Sequence, residues 1–135
     1  MAALTFVDTN VLAYAYDADS GEKGERAREV LAEIDGAVVS TQVLLELFAV
    51  LTRKLGLTRE VAEEATESLM DLEVVATDAR LVREGLRISR DHDISHWDGM
   101  IIAAAAASGC EVLLTEDLND GQVIEGVRVV NPFPA

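Results

Sequence analysis

The stretch Leu4-Thr5-Phe6-Val7-Asp8-Thr9-Asn10-Val11-Leu12 sets the reading of the whole chain. A short apolar run ends on an aspartate, and a second apolar run, Asn10 to Tyr16, starts almost at once. The first reads as a buried strand and the second as the start of a helix. The same alternation then recurs. Gly21 to Ile34 carries the helical period, with Ala27, Val30, Leu31 and Ile34 on one face. Ala37 to Val39 is a short strand, and Thr41 to Leu55 a strongly apolar helix that Gly56 stops. Thr58 is placed to cap a helix reaching about Leu72. Val74 and Val75 mark a third strand, and Asp78 caps a helix to about Arg90. Ser95 or Trp97 opens the helix Asp98 to Ser108, which Gly109 ends. Glu111 to Leu114 and Val127 to Val130 are the fourth and fifth strands. Strands alternating with helices give βαβ units. The expectation is one α/β domain over residues 1–135, an α/β/α sandwich around a mostly parallel five-stranded sheet. In such sheets the functional crevice lies outside the carboxyl ends of the strands, so residues just after a strand should carry the chemistry.

Composition narrows the class. Half of the 135 residues are hydrophobic, enough to bury a core. The longest uncharged apolar stretch, Met100 to Ala107, falls far short of the roughly 20 residues a spanning helix needs. The N-terminal residues lack a basic region and soon reach Asp8, unlike a signal peptide. Cys110 is the single cysteine, so neither an internal disulfide nor a thiolate metal site is available. A cytoplasmic protein is expected. The net charge of −14 runs against a nucleic-acid partner, which usually calls for a basic footprint. Charge alone favours an acidic surface kept for solubility. A polyanionic substrate would have to be held through bridging metal ions and a local basic stripe, or a basic protein partner would have to cover the acidic surface.

Four acidic residues stand out. Asp8 and Asp117 follow the first and fourth strands, which puts both at the carboxyl edge; each could equally cap a helix or form an Asx turn. Asp98 shares a stripe with Ile102 and Ala105 on a helix apolar nearly all round. Facing inward it needs a partner or a metal, although Ser95-His96-Trp97-Asp98 also has capping-box spacing. Glu46 borders the apolar face beside Val43 and Val50, and an ordinary ion pair with Arg53 or Lys54 is open to it. Hard divalent ions prefer oxygen ligands. Phosphodiester cleavage gains from ions that activate water and neutralise phosphoryl oxygens. Carboxylates packed together without metal would repel one another.

In order, Asp8-Thr9-Asn10-Val11-Leu12, Glu46 within an apolar helix, Trp97-Asp98-Gly99-Met100-Ile101-Ile102-Ala103-Ala104-Ala105 and Thr115-Glu116-Asp117-Leu118-Asn119-Asp120-Gly121 resemble the motifs of PIN-domain ribonucleases. A chain this small resembles the toxins of VapBC-type toxin–antitoxin systems. The resemblance implies a parallel sheet with helices on both faces, a metal-dependent endoribonuclease, and Asp8, Glu46, Asp98 and Asp117 as an acidic quartet around Mg²⁺ or Mn²⁺. Asp8, Asp98 and Asp117 would hold the metal, while Glu46 completes the shell or positions the water. RNA is the implied substrate, with a cognate antitoxin and a homodimer as partners. Asn10 and Thr115 match supporting positions. Asp120 is a possible extra ligand, though Asn119-Asp120-Gly121 makes an equally natural turn.

Arg80, Arg83, Arg87 and Arg90 form one stripe on the helix after Asp78. They could track RNA phosphates, or form a solvated face with Arg80–Glu84 and Arg87–Asp91 pairs. His92 and His96 are four apart, but the break at Asp93-Ile94-Ser95 favours a structural or surface role. Trp97 is expected in the core or at a dimer interface, Cys110 as a buried small hydrophobe, and Phe133 docked against the body. A receiver module would need an acidic pair after the first strand and a late lysine, whereas the only lysines are Lys23 and Lys54. A haloacid-dehalogenase-type phosphatase would need Asp-x-Asp, and Asp8-Thr9-Asn10 lacks the second carboxylate. A non-enzymatic α/β protein-binding or regulatory module, with the acids serving as caps, is the remaining alternative.

Overall fold

The computed structural model describes residues 4–133; the ends of the expected 1–135 domain lie outside them. The elements are β1 (Thr5–Val7), α1 (Thr9–Tyr16), α2 (Glu22–Glu33), β2 (Ala37–Ser40), α3 (Thr41–Ala49), α4 (Arg59–Ser68), β3 (Glu73–Val75), α5 (Ala79–His92), α6 (His96–Ala107), β4 (Val112–Leu114), β5 (Val123–Ile124) and β6 (Val127–Val130). They form one sheet in the order β3-β2-β1-β4-β6-β5. Every pair is parallel except β5 with β6. Successive strand residues point to opposite faces, yet Thr5, Phe6 and Val7 are all buried, as are Val38, Val39 and Ser40. Both faces of the central strands are therefore covered, which is the burial a parallel sheet requires.

The order places β1 at the centre. The chain leaves it for β2 on one side and returns to pair β4 on the other, with Thr5 aligned to both Ala37 and Val112. The reversal creates a crevice beyond the carboxyl ends of β1 and β4.

The sheet has six strands, where the sequence predicts five. The extra strand, β5, has two residues and an exposed Val123. It joins β6 through Glu125 and Gly126, both at positive φ, the geometry of a two-residue hairpin that Asn-Gly or Asp-Gly usually signals. Glutamate is a poor marker for that turn. Here its carboxylate is anchored by Arg87 and by His92 at 3.2 Å.

Other boundaries shift for local reasons. The helix predicted to run from Thr41 to Leu55 is α-helical only to Ala49, then makes a π turn, Val50–Lys54, closed by Leu55 N–H donating to the Val50 carbonyl at 3.0 Å. The helix capped by Thr58 ends at Ser68 in a 3₁₀ turn, Leu69–Asp71. Trp97 is not in the core: it is 59% exposed. Cys110 is buried, and Phe133 packs edge-on against Tyr14 with ring centroids 5.0 Å apart. No helix among the described residues is long and apolar enough to cross a membrane.

Helices α5 and α6 meet at two glycines. A Cβ on Gly99 would sit 2.3 Å from the Gly85 carbonyl oxygen, and one on Gly85 would sit 3.1 Å from Met100 Cα. The missing side chains allow backbone-to-backbone approach. This contact fixes the N-terminal turn of α6, which carries Asp98.

Candidate active site

A cavity of about 230 Å³ opens at the reversal point, lined by Asp8, Asn10, Glu46, Glu116 and Asp117 among others. Asp8 ends β1 and caps α1: its Oδ1 accepts from the Thr9 backbone N–H at 2.7 Å. Its Oδ2 accepts from the Thr115 hydroxyl at 2.8 Å. Asp8 is only 5% exposed. Burial pushes its carboxyl up to about 7; the Thr115 and Thr9 hydrogen bonds oppose this, and the charges of Asp117 and Glu46 add to it.

Thr115 follows β4 and ties the crevice together. Its oxygen accepts from Asn10 Nδ2 at 3.3 Å and from the Asp117 N–H at 3.1 Å. Asn10 Nδ2 also donates to Asp117 Oδ2 at 3.0 Å. Because a carboxylate can only accept, that bond fixes the amide's orientation. Asn10 Oδ1 is left buried without a partner among the described residues.

Glu46 projects from the second turn of α3. Its Oε2 accepts from the Thr9 hydroxyl at 3.0 Å and its Oε1 from Gln42 Nε2, one turn back, at 2.9 Å. It does not make the ion pair with Arg53 or Lys54 that its spacing allowed. Asp98 is half-buried at the start of α6. Its backbone N–H donates to Ser95 Oγ at 3.0 Å, as the capping spacing predicts. Burial raises its carboxyl above the ordinary range, the Ser95 bond lowers it, and the charges of Asp117 and Glu46 raise it further. The charges of Asp117 and Glu46 thus reach Asp98, although it does not line the cavity.

None of the four carboxylates is paired with a lysine or arginine among the described residues. All-oxygen donors, an orphaned amide oxygen and uncompensated carboxylates fit a hard divalent cation by chemistry. As the side chains stand, no group of three or more Asp, Glu, His or Cys among the described residues is arranged to hold one.

The other predicted residues lie elsewhere. Asp120 Oδ1 accepts from the Asn131 N–H at 2.9 Å, a turn contact outside the cavity lining. Arg87 is surrounded by Glu84, Asp91 at 3.0 Å and Glu125, and Arg90 reaches Asp91 at 3.5 Å. The Arg87–Asp91 pair forms as the spacing suggests, but Glu84 takes Arg87 rather than Arg80. Arg80 and Arg83 line a separate groove beside α5 and α6.

Sequence reasoning missed Thr9 and Gln42 as the residues orienting Glu46. Their only sequence signals were the i,i+4 spacing of Gln42 and the position of Thr9 directly after Asp8. It also missed a rim group. Tyr14 Oη donates to Glu116 Oε1 and Lys23 Nζ to Glu116 Oε2, each at 2.8 Å. Burial pushes Glu116 up, but these two bonds, together with the charges of Lys23 and Lys54, more than offset it and hold the carboxyl below its usual range.

Fold and crevice together define a parallel α/β domain with an acidic site at the sheet's reversal point. The PIN domain family model matches residues 5–120, and the chain belongs to that family. Its fold is similar to that of VapC20, the sarcin-ricin loop cleaving toxin of Mycobacterium tuberculosis: 24% identity, 81% of this chain and 86% of that one covered, TM-score 0.70. A toxin–antitoxin complex from Klebsiella pneumoniae is 20% identical over 97% of this chain and 99% of that one, TM-score 0.74. FitAcB from Neisseria gonorrhoeae is 20% identical over 96% and 98%, TM-score 0.68. No curated protein matches the chain.

Proposed function

We propose that this PIN domain is a divalent-metal-dependent endoribonuclease and the toxin of a type II toxin–antitoxin pair. One observation carries the reading: a buried carboxylate, Asp8, shares a crevice with Glu46 and Asp117, and none of the three makes an ion pair among the described residues. Uncompensated buried charge is costly, and clusters of this kind concentrate at functional sites.

Asp8, Asp98 and Asp117 would hold Mg²⁺ or Mn²⁺. When bound, the ion supplies charge neutralisation at the phosphoryl oxygens and lowers the pKa of water. The protein supplies orientation. Thr115 fixes Asp8 and Asn10 fixes Asp117. Glu46, held on both oxygens by Thr9 and Gln42, is set to orient the attacking water. No nucleophilic side chain is required. Asp120 and the arginine stripe have no part in this step.

A toxin role draws on the fold shared with toxin–antitoxin proteins. It makes a cognate antitoxin and a second copy of the chain the expected partners, in the cytoplasm. Exposed Leu45, Val61 and Met70, together with Val82, Leu86 and Trp97, are apolar surface available to them.

The test is cleavage of total cellular RNA by purified, antitoxin-free protein with Mg²⁺ or Mn²⁺ and with excess EDTA. Discrete fragments that appear only with metal are expected. Cleavage unchanged in EDTA would sink the mechanism. No cleavage by folded, metal-supplied protein would favour the binding-module alternative.

A further inference from the structure

We propose that Lys54 grips the RNA backbone at the crevice, binding a phosphate next to the one that is cleaved. The inference rests on the nuclease reading and names the residue that brings a polyanion to an acidic mouth. Of the chain's eleven lysines and arginines, Lys54 alone lines the cavity. It is exposed and makes no ion pair among the described residues. The other lysine, Lys23, stands at the same rim but is committed: Nζ lies 2.8 Å from Glu116 and 3.3 Å from Tyr14 Oη. Both lysines of a chain with net charge −14 therefore border one crevice, and only Lys54 has its ammonium available.

The backbone aims it there. A regular α-helix repeats every 3.6 residues, so the face that carries Val50 would next carry Arg53 and Lys54. The π turn lengthens that repeat. The residues that join Val50 in the lining are Lys54 and Leu55, while Arg53 is excluded. π turns of this kind are frequent at functional sites. Glu46, one turn before Val50, lies on the same wall, so the helix presents a water-orienting carboxylate and a phosphate-binding ammonium along one line. Lysine suits this task as a mobile point charge.

The experiment measures steady-state cleavage of a defined RNA with Mg²⁺, at several salt concentrations, by wild type, Lys54→Gln, Lys54→Arg and Arg128→Gln. The last removes the same charge from β6, outside the cavity lining. Lys54→Gln is expected to raise KM roughly three- to tenfold with kcat nearly unchanged. It should also reduce the slope of log(kcat/KM) against log[salt] by about 0.7, the value of one single-strand phosphate contact. Lys54→Arg should restore both, and Arg128→Gln should resemble wild type. Wild-type KM and salt slope in Lys54→Gln would overturn the assignment and leave the nuclease reading intact. Equal losses in Lys54→Gln and Arg128→Gln would overturn it as well, since net charge would then explain the effect. Folded, metal-supplied wild type that cleaves no RNA would remove the nuclease reading and this assignment with it.

Discussion

Two charged regions of this molecule obey opposite rules. On α5, the charges of Arg87 and Arg90 are at the surface and matched: Arg87 serves Glu84, Asp91 and Glu125, and Arg90 leans on Asp91. At the crevice, charges are sheltered and unmatched: Asp8 is buried in its lining, Asp98 is half-buried outside it, and neither makes an ion pair among the described residues. Exposed pairs contribute little and are screened by salt. Buried like charges raise one another's pKa and weaken the fold that holds them. A chain keeps the second arrangement only where something other than stability is gained. The α5 arginines had the better spacing in sequence, yet partners already occupy Arg87 and Arg90, while Asp8, Glu46 and Asp117 line one cavity.

The contrast can be broken by substitution. Asp8→Asn should lower RNA cleavage by more than about 100-fold, because even partners behind a metal ligand are worth about 10–100-fold, while circular dichroism stays unchanged. A variant retaining near-wild-type cleavage would reduce Asp8 to a helix cap. Thr115→Val keeps the shape but removes the hydroxyl that links Asp8, Asn10 and Asp117. A fall of about 10–100-fold is expected in single-turnover assays.

On the opposite side of the comparison, Gly85→Ala should destabilise the fold by about 1–3 kcal/mol in urea, through overpacking against Met100. Arg87→Ala should leave cleavage unchanged and lower Tm slightly at low salt, an effect that high salt removes. A large loss of activity in Arg87→Ala would erase the distinction between the two regions.

pH sharpens it further. Asp8 is raised in the folded, metal-free protein to about 7 from 3.8. The native state therefore binds that proton more tightly than the unfolded chain. Its ionisation destabilises the fold fully above about pH 7, and stability returns as pH falls toward 4. In EDTA, Asp8→Asn should accordingly melt several degrees above wild type at pH 8. The gap should narrow as the pH is lowered, when melting curves are compared across that range.

Much of the fold was legible because strands and helices announce themselves by apolar period, and Asp78, Thr58 and Ser95 cap where their types predict. The sixth strand was not, because two residues carry no period and Glu125-Gly126 is weak turn chemistry. The π turn was equally hidden, since Val50 to Lys54 reads as ordinary helix. The sequence left Trp97 between core and dimer interface because the helix is apolar nearly all round and its period does not say which face is left open; its exposure removes the core alternative. In the crevice, Asp8 and Asp117 could be placed at the carboxyl edge because each follows a strand. The Gln42–Glu46 bond lies within α3 at i,i+4 spacing. The bond from Thr9 to Glu46 and the approach of Lys54 instead arise from packing between elements distant in sequence. Local pattern holds no record of them.

The most direct measurement is titration of the metal-free protein with Mn²⁺, followed by electron paramagnetic resonance, for wild type and Asp8→Asn side by side. Saturable binding by wild type, weakened at least about tenfold in an equally folded Asp8→Asn, is the expected result. Equal binding by the two proteins, or none by wild type, would contradict the assignment of the crevice as a metal-dependent active site.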